Sequence, residues 1–85
     1  MTDQDIQDQL TLIFRDVFDD PSITLKPEMV AADIGDWDSF NHINLIVAAE
    51  AHFGVKFKTA ETEELRNVGD FVALVRKKLK NEKGT

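Results

Sequence analysis

Cysteine is absent from this chain of 85 residues. Neither a disulfide nor a thiolate metal site can form, and any thiol chemistry has to come from a group added to the chain. Positive charge is scarce: ten lysines and arginines stand against sixteen aspartates and glutamates, for a net charge of −6. That balance disfavours nucleic acid and anionic membrane as partners and favours basic protein surfaces. No apolar run approaches the roughly 18 residues that a membrane span requires, and no secretory leader is found. A soluble, cytoplasmic protein without membrane insertion is the expectation. The chain also lacks internal repeats and low-complexity tracts, and it holds a single tryptophan.

What is present is 42% hydrophobic, enough for one modest core. The length implies one domain over residues 1–85, with an ordered core over about 3–80, monomeric and stable by about 5 kcal/mol. Ile6, Leu10, Ile13, Phe14, Val17 and Phe18 recur at helical spacing, which predicts a first helix over Asp3 to Phe18. Thr2 and Asp5 have the spacing of a capping box, and Asp19-Asp20-Pro21-Ser22 ends the helix. Residues 20–37 form a long connection in which Ile23, Leu25, Met29, Val30 and Ile34 read as anchors, with one short turn over Lys26 to Val30. After the central helix, Gly54 has the position of a C′ glycine, and Val55 to Lys58 reads as briefly extended with Val55 and Phe57 inward. Thr59 to Leu65 predicts a short acidic helix. Asn67 with Asp70 caps a last helix whose core stripe is Val68, Phe71, Val72, Val75 and Leu79. Lys77, Lys78 and Lys80 complement its dipole, and residues 81–85 are expected to fray. The class is all-α, a bundle of three longer helices and one short one.

The centre of the chain is Gly35-Asp36-Trp37-Asp38-Ser39-Phe40 running into a helix over Asn41 to Phe53. Asp38 reads as the N-cap and Ser39 as the first helical residue, at the dipole's positive end, where an added phosphate is favoured. At about 100° per residue, Leu45, Ile46, Ala49 and Phe53 fall together with His42 on the same side, as the core stripe. Phe40, Ile43, Val47 and Ala51 lie about 140° away, while Asn41, Asn44 and His52 take much of the remaining side. A small bundle buries only one stripe, so the second is expected to face solvent as a docking surface.

Other chemistry fits poorly. Counting a calcium loop from Asp33 puts Gly35 and Trp37 at its third and fifth positions and Asn44 where a glutamate is needed; Asp33 and Asp36 serve as caps or solvated acids. His42 and His52 have no third ligand. His42 follows Ser39 by three residues, but no orienting group or oxyanion loop completes a hydrolase site. Trp37 has two uses open to it, closing the loop against the core or lining the path of a tethered arm, and the frequency with which such rings are buried favours the first.

The run GDWDSFNHINLIVAAEAHF resembles the centre of an acyl carrier protein, where an Asp-Ser-Leu motif opens the second helix. Phe40 replaces the usual leucine and stays large and apolar. The resemblance extends over most of the chain: first helix, long loop, recognition helix, short helix, last helix. It implies that Ser39 is the attachment point of 4′-phosphopantetheine, delivered from coenzyme A by a phosphopantetheinyl transferase. It also associates Asp38 with the transferase's magnesium site, a role compatible with capping. The chain would then be a carrier, not an enzyme, with acyl intermediates riding as thioesters between loading and processing enzymes. Asp36, Phe40, Ile43, Val47 and Glu50 are the expected partner contacts. Housekeeping fatty-acid carriers bear several acids on this helix, whereas Asn41, Asn44 and Ala51 stand here and leave Glu50. Weaker electrostatic steering follows, which favours a specialised fatty acid, polyketide, lipopeptide or lipid pathway. The alternative is an unmodified helical interaction domain that buries Phe40, Ile43 and Val47 against a partner.

Overall fold

Five helices succeed one another along the chain in a computed structural model, which describes residues 2–34 and 37–84 without the side chains of Ala31, Ser39 and residues 81–84. They are α1 (Asp3–Val17), α2 (Ala31–Ile34), α3 (Ser39–Phe53), α4 (Thr59–Glu63) and α5 (Val68–Gly84); among the described residues there is no strand. Three are long, as the apolar stripes predict. The short α2 was not expected. Four residues are too few to show a period, and it is held by a local reciprocal pair: Val30 N–H donates to the Asp33 carboxylate at 3.0 Å, and Asp33 N–H donates to Val30 O at 3.0 Å.

α1 starts where its capping box places it. Thr2 Oγ1 accepts from Asp5 N–H and the Asp5 carboxylate accepts from Thr2 N–H, both at 3.1 Å, which satisfies two donors that the first turn leaves free. The Thr2 N–H, and with it the Thr2 hydroxyl, hold the Asp5 carboxyl below the usual carboxylate range. The helix ends at Val17 with Phe18 as its C-cap, one residue short of the expected end. Asp19 then turns the chain with φ 51°, a left-handed value that aspartate tolerates better than most residues.

The core is built on Phe14, which is fully buried and sits 5.3 Å from the Trp37 ring and 6.1 Å from Phe71, edge to face with both. Around it lie Ile6, Leu10 and Ile13 of α1, Leu45 and Ala49 of α3, and Val68, Phe71, Val72 and Val75 of α5. The long connection is pinned by its carbonyls as well as its apolar side chains. Arg15 Nε donates to Ile23 O at 2.7 Å, and Gln7 Nε2 donates to Leu25 O at 3.2 Å. Gly69 N–H and Val68 N–H, at the start of α5, donate to Pro27 O and Met29 O at 2.8 and 2.9 Å. Gly69 permits that approach, since a Cβ there would meet Pro27 O at 3.2 Å. Leu25 is buried and Ile23, Met29 and Ile34 pack against the core, but Val30 differs from the expectation. It is exposed, because it heads α2 from outside.

Val55 is buried and Phe57 half-buried, as their alternation predicts. α4 stops at Glu63 rather than Leu65 and buries no side chain completely. It is fastened by charge: Lys78 Nζ pairs with Glu61 at 2.7 Å, which makes Lys78 a tie to α4 as well as a dipole partner. Asn67 Oδ1 accepts from Asp70 N–H at 2.8 Å and caps α5. The backbone of α5 is helical through Gly84, past the expected fraying point, and Thr85 lies outside the described residues.

Candidate functional site

Asp38 sets the geometry at the head of α3. Its backbone is extended (φ −101°, ψ −176°), its Oδ1 accepts from Asn41 N–H at 2.8 Å, and its carbonyl accepts from His42 N–H at 2.8 Å. Ser39 is therefore the first residue of a helix of 15 residues, as the Asp-Ser pair predicts. Gly35 and the expected contact Asp36 lie outside the described residues.

Trp37, one residue before the cap, is buried with its edge on Phe14. Its indole Nε1–H donates to His42 Nδ1 at 2.9 Å, and the two rings stack with centroids 6.0 Å apart. Tryptophan can only donate, so His42 Nδ1 is the acceptor and the ring proton sits on Nε2. That nitrogen lies 3.1 Å from Thr62 O and donates to it. Both ring nitrogens of His42 are thus occupied, and neither remains to activate the Ser39 hydroxyl. Of the two uses open to Trp37, packing is the principal one, although the ring also borders a cleft.

That cleft measures about 690 Å³ and opens beside Asp38. Trp37, His42 and Ile43 form one side, while Thr59, Thr62, Leu65 and Arg66 from α4 and its flanks form the other. The α4 side was not identified from the sequence. Those residues lie 20 or more positions beyond Ser39 with no motif to mark them. Glu61, on the same short helix, has its carboxyl held below the usual range by Lys78 and by the Lys58 N–H.

The second apolar stripe faces outward. Phe40 is 72% exposed, Ile43 63% and Val47 57%, and Ala51 is exposed beside them. The opposite stripe is buried at Leu45 and Ala49, while Ile46 and Phe53 are only partly covered, shallower than the sequence predicts. Glu50 is half-buried, and its carboxylate accepts from Phe57 N–H at 2.8 Å, so it secures the segment after α3. His52 Nε2 lies 2.7 Å from Gln9 Oε1 at the surface, far from His42. Among the described residues no three histidine, aspartate or glutamate side chains are grouped to hold a metal, and no helix is long and apolar enough to cross a membrane.

No family model matches this chain, but known proteins similar to it include the following. An acyl carrier protein of Acidothermus cellulolyticus is 33% identical over 72 residues, which covers 85% of this chain and 86% of that protein. An acyl carrier protein of Thermotoga maritima is 34% identical over 61 residues, 72% of this chain and 73% of the relative. The solved structure of a holo acyl carrier protein from Geobacter metallireducens superposes with a TM-score of 0.87 at 51% identity, covering 93% of this chain and 91% of the other. Fold, sequence and the capped serine at the head of α3 agree: the chain belongs to the acyl carrier protein family.

Proposed function

We propose that this chain carries acyl groups on a 4′-phosphopantetheine arm joined through a phosphodiester to Ser39, and that it is a substrate for partner enzymes with no catalysis of its own. The observation that carries the reading is the position of Ser39 as first residue of α3, behind the Asp38 cap and beside an open cleft of about 690 Å³. The cleft suits an arm lying along α3. Trp37, His42, Ile43 and Leu65 offer ring and aliphatic surface, and Thr59 and Thr62 offer polar groups for the arm's amides. When bound, the arm supplies the thiol that a chain without cysteine lacks, and acyl groups are held on it as thioesters.

The protein's own part is positioning. Asp38 caps the helix and keeps a carboxylate next to the serine for a phosphopantetheinyl transferase. Phe40, Ile43 and Val47 form the face that the transferase and the loading and processing enzymes read, and Asp36 is a further expected contact. Glu50 is the one acid left on that helix, and its carboxylate is held in place by the Phe57 N–H. The weak acidity of this face supports a dedicated set of partners in a specialised fatty acid, polyketide or lipid pathway of the cytoplasm over broad fatty-acid duty.

Incubation with coenzyme A and a promiscuous phosphopantetheinyl transferase, followed by intact mass, tests the assignment. One arm is expected on the wild type and none on Ser39→Ala, with helical circular dichroism unchanged. Modification that persists in the variant rejects Ser39. The exposed stripe alone also suits an unmodified interaction domain, and a wild-type chain that takes no arm would leave that reading.

A further inference from the structure

Packing does little to hold the turn that carries Ser39. Trp37 before it and Leu45 after it are buried, but between them Asp38, Phe40, Ile43 and Asn44 are exposed and Asn41 and His42 only half-buried. The order of this turn therefore rests on polar contacts, since a first turn leaves its N–H groups without helical partners. The Asp38 cap is one such contact. A second crosses the serine. Trp37, two residues before Ser39, donates its Nε1–H to Nδ1 of His42, three residues after it, at 2.9 Å, and the two rings lie within 21° of parallel. The indole is itself fixed, with its edge on Phe14 at 5.3 Å. The imidazole is also aimed from its far end, where Nε2 lies 3.1 Å from Thr62 O. The bond thus joins the core-anchored residue before the cap to the end of the first turn of α3, with Ser39 inside the closed loop.

We propose that His42 is a positioning residue for attachment of the arm: by accepting from Trp37 it clamps the chain on both sides of Ser39. The inference rests on the reading of Ser39 as the site of the arm. In attachment the Ser39 oxygen forms a bond to the β-phosphorus of coenzyme A, and the pyrophosphate P–O bond breaks. Adenosine bisphosphate leaves with that bond's electron pair, and the hydroxyl proton passes to a base of the transferase. His42 takes no part in these transfers, because both its ring nitrogens are engaged. It acts through Trp37. The hydroxyl has to meet phosphorus in line, and an error of about 1 Å in such geometry costs about 100-fold in rate. A frayed first turn spreads the serine over many positions, whereas a clamped one presents it in one.

The test measures single-turnover attachment from coenzyme A by a promiscuous transferase, across transferase concentrations that reach saturation. Intact mass counts the arm, so a wild-type chain that takes none at Ser39 overturns the carrier reading, and the clamp with it. The maximal rate reads positioning, and the half-saturating concentration reads docking. His42→Leu removes the acceptor, while Trp37→Phe removes the donor and keeps a ring against Phe14. Each is expected to lower the maximal rate about tenfold, with half-saturation unchanged within about threefold. The double variant is expected to be no slower than the slower single one, because both changes break the same bond. His42→Asn sets its Oδ1 where Nδ1 was, and is expected to recover to within about threefold of the wild type. The clamp is overturned by a wild-type maximal rate in a folded His42→Leu or by a change in half-saturation alone. Losses that multiply in the double variant, or a His42→Asn as slow as His42→Leu, overturn it too. Should His42→Leu or Trp37→Phe fail to fold, His42→Asn against His42→Gln decides. Glutamine carries its amide to the Nε2 position, beyond the Trp37 N–H, so a slower His42→Gln supports the clamp and equal rates overturn it.

Discussion

Leu45 and Val47 stand two positions apart on α3, one fully buried and the other 57% exposed. Cutting each to alanine separates core from docking face. Leu45→Ala is expected to cost about 2–5 kcal/mol in urea denaturation, the range for filled cores. Val47→Ala is expected to cost under about 1 kcal/mol and to lower the rate of loading by a partner enzyme, because its side chain has little to lose on the folded side. Equal losses in stability would mean that Val47 is covered in solution. Asp38 admits a similar separation. Asparagine caps helices as well as aspartate, so Asp38→Asn is expected to hold stability within about 0.5 kcal/mol, while Asp38→Ala is expected to lose about 1 kcal/mol. If the carboxylate also serves the transferase, Asp38→Asn slows modification in a mass time course despite its intact cap. A normal rate would confine Asp38 to capping.

The helices differ in what holds them. α1 and α5 bury regular stripes, and α3 stops at Gly54, whose φ of 68° lies in the left-handed region. Nothing lies within 4 Å of a Cβ built on Gly54, so Gly54→Ala meets no clash and reports only backbone strain. The expected cost is about 1 kcal/mol in a denaturant midpoint with unchanged slope. α4 buries no side chain fully and depends on polar ties: His42 to Thr62 O at one end and Glu61 to Lys78 along its length. Its local opening is expected to be easier than that of α1 or α5, which amide hydrogen exchange would read as faster exchange at Thr62 than at Phe14.

At the scale of the molecule, sixteen acids against ten cations repel one another. Two ion pairs form among the described residues, and one of them, Arg76 to Asp3, is more than half exposed on both sides. Surface pairs of that kind contribute little, so screening removes more repulsion than attraction. Raising salt from about 0.05 to about 0.5 M at pH 7 is expected to raise Tm, and a fall would show that the ion pairs dominate. Acid acts the other way at its extreme. Asp5, Asp20 and Glu61 are each held below the usual carboxylate range, the first two by Thr2 and Ser22 hydrogen bonds and the third by Lys78 and Lys58. Carboxyls whose folded pKa is depressed favour the fold above their unfolded values and lose that contribution as pH falls through the folded ones. Stability is therefore expected to decline below about pH 4, which a Tm series in acid would follow.

Local chemistry was enough for the three long helices, the capping box at Thr2, the Asp38 cap with Ser39 behind it, and the stop at Gly54. Each depends on residues within one or two turns of one another, where spacing is geometry. The outward stripe of Phe40, Ile43 and Val47 was legible for a related reason: α3 has two apolar faces, and a small bundle has one core to fill. The α4 wall of the cleft, the engagement of Glu50 by Phe57 N–H and the Trp37–His42–Thr62 chain were not legible. The Glu50–Phe57 and Trp37–His42–Thr62 contacts join residues 5 to 20 positions apart through single hydrogen bonds that leave no period in the sequence. α2 escaped notice because four residues complete barely one turn. Helices announce themselves by repetition, whereas a cleft exists only once separate segments have been packed side by side.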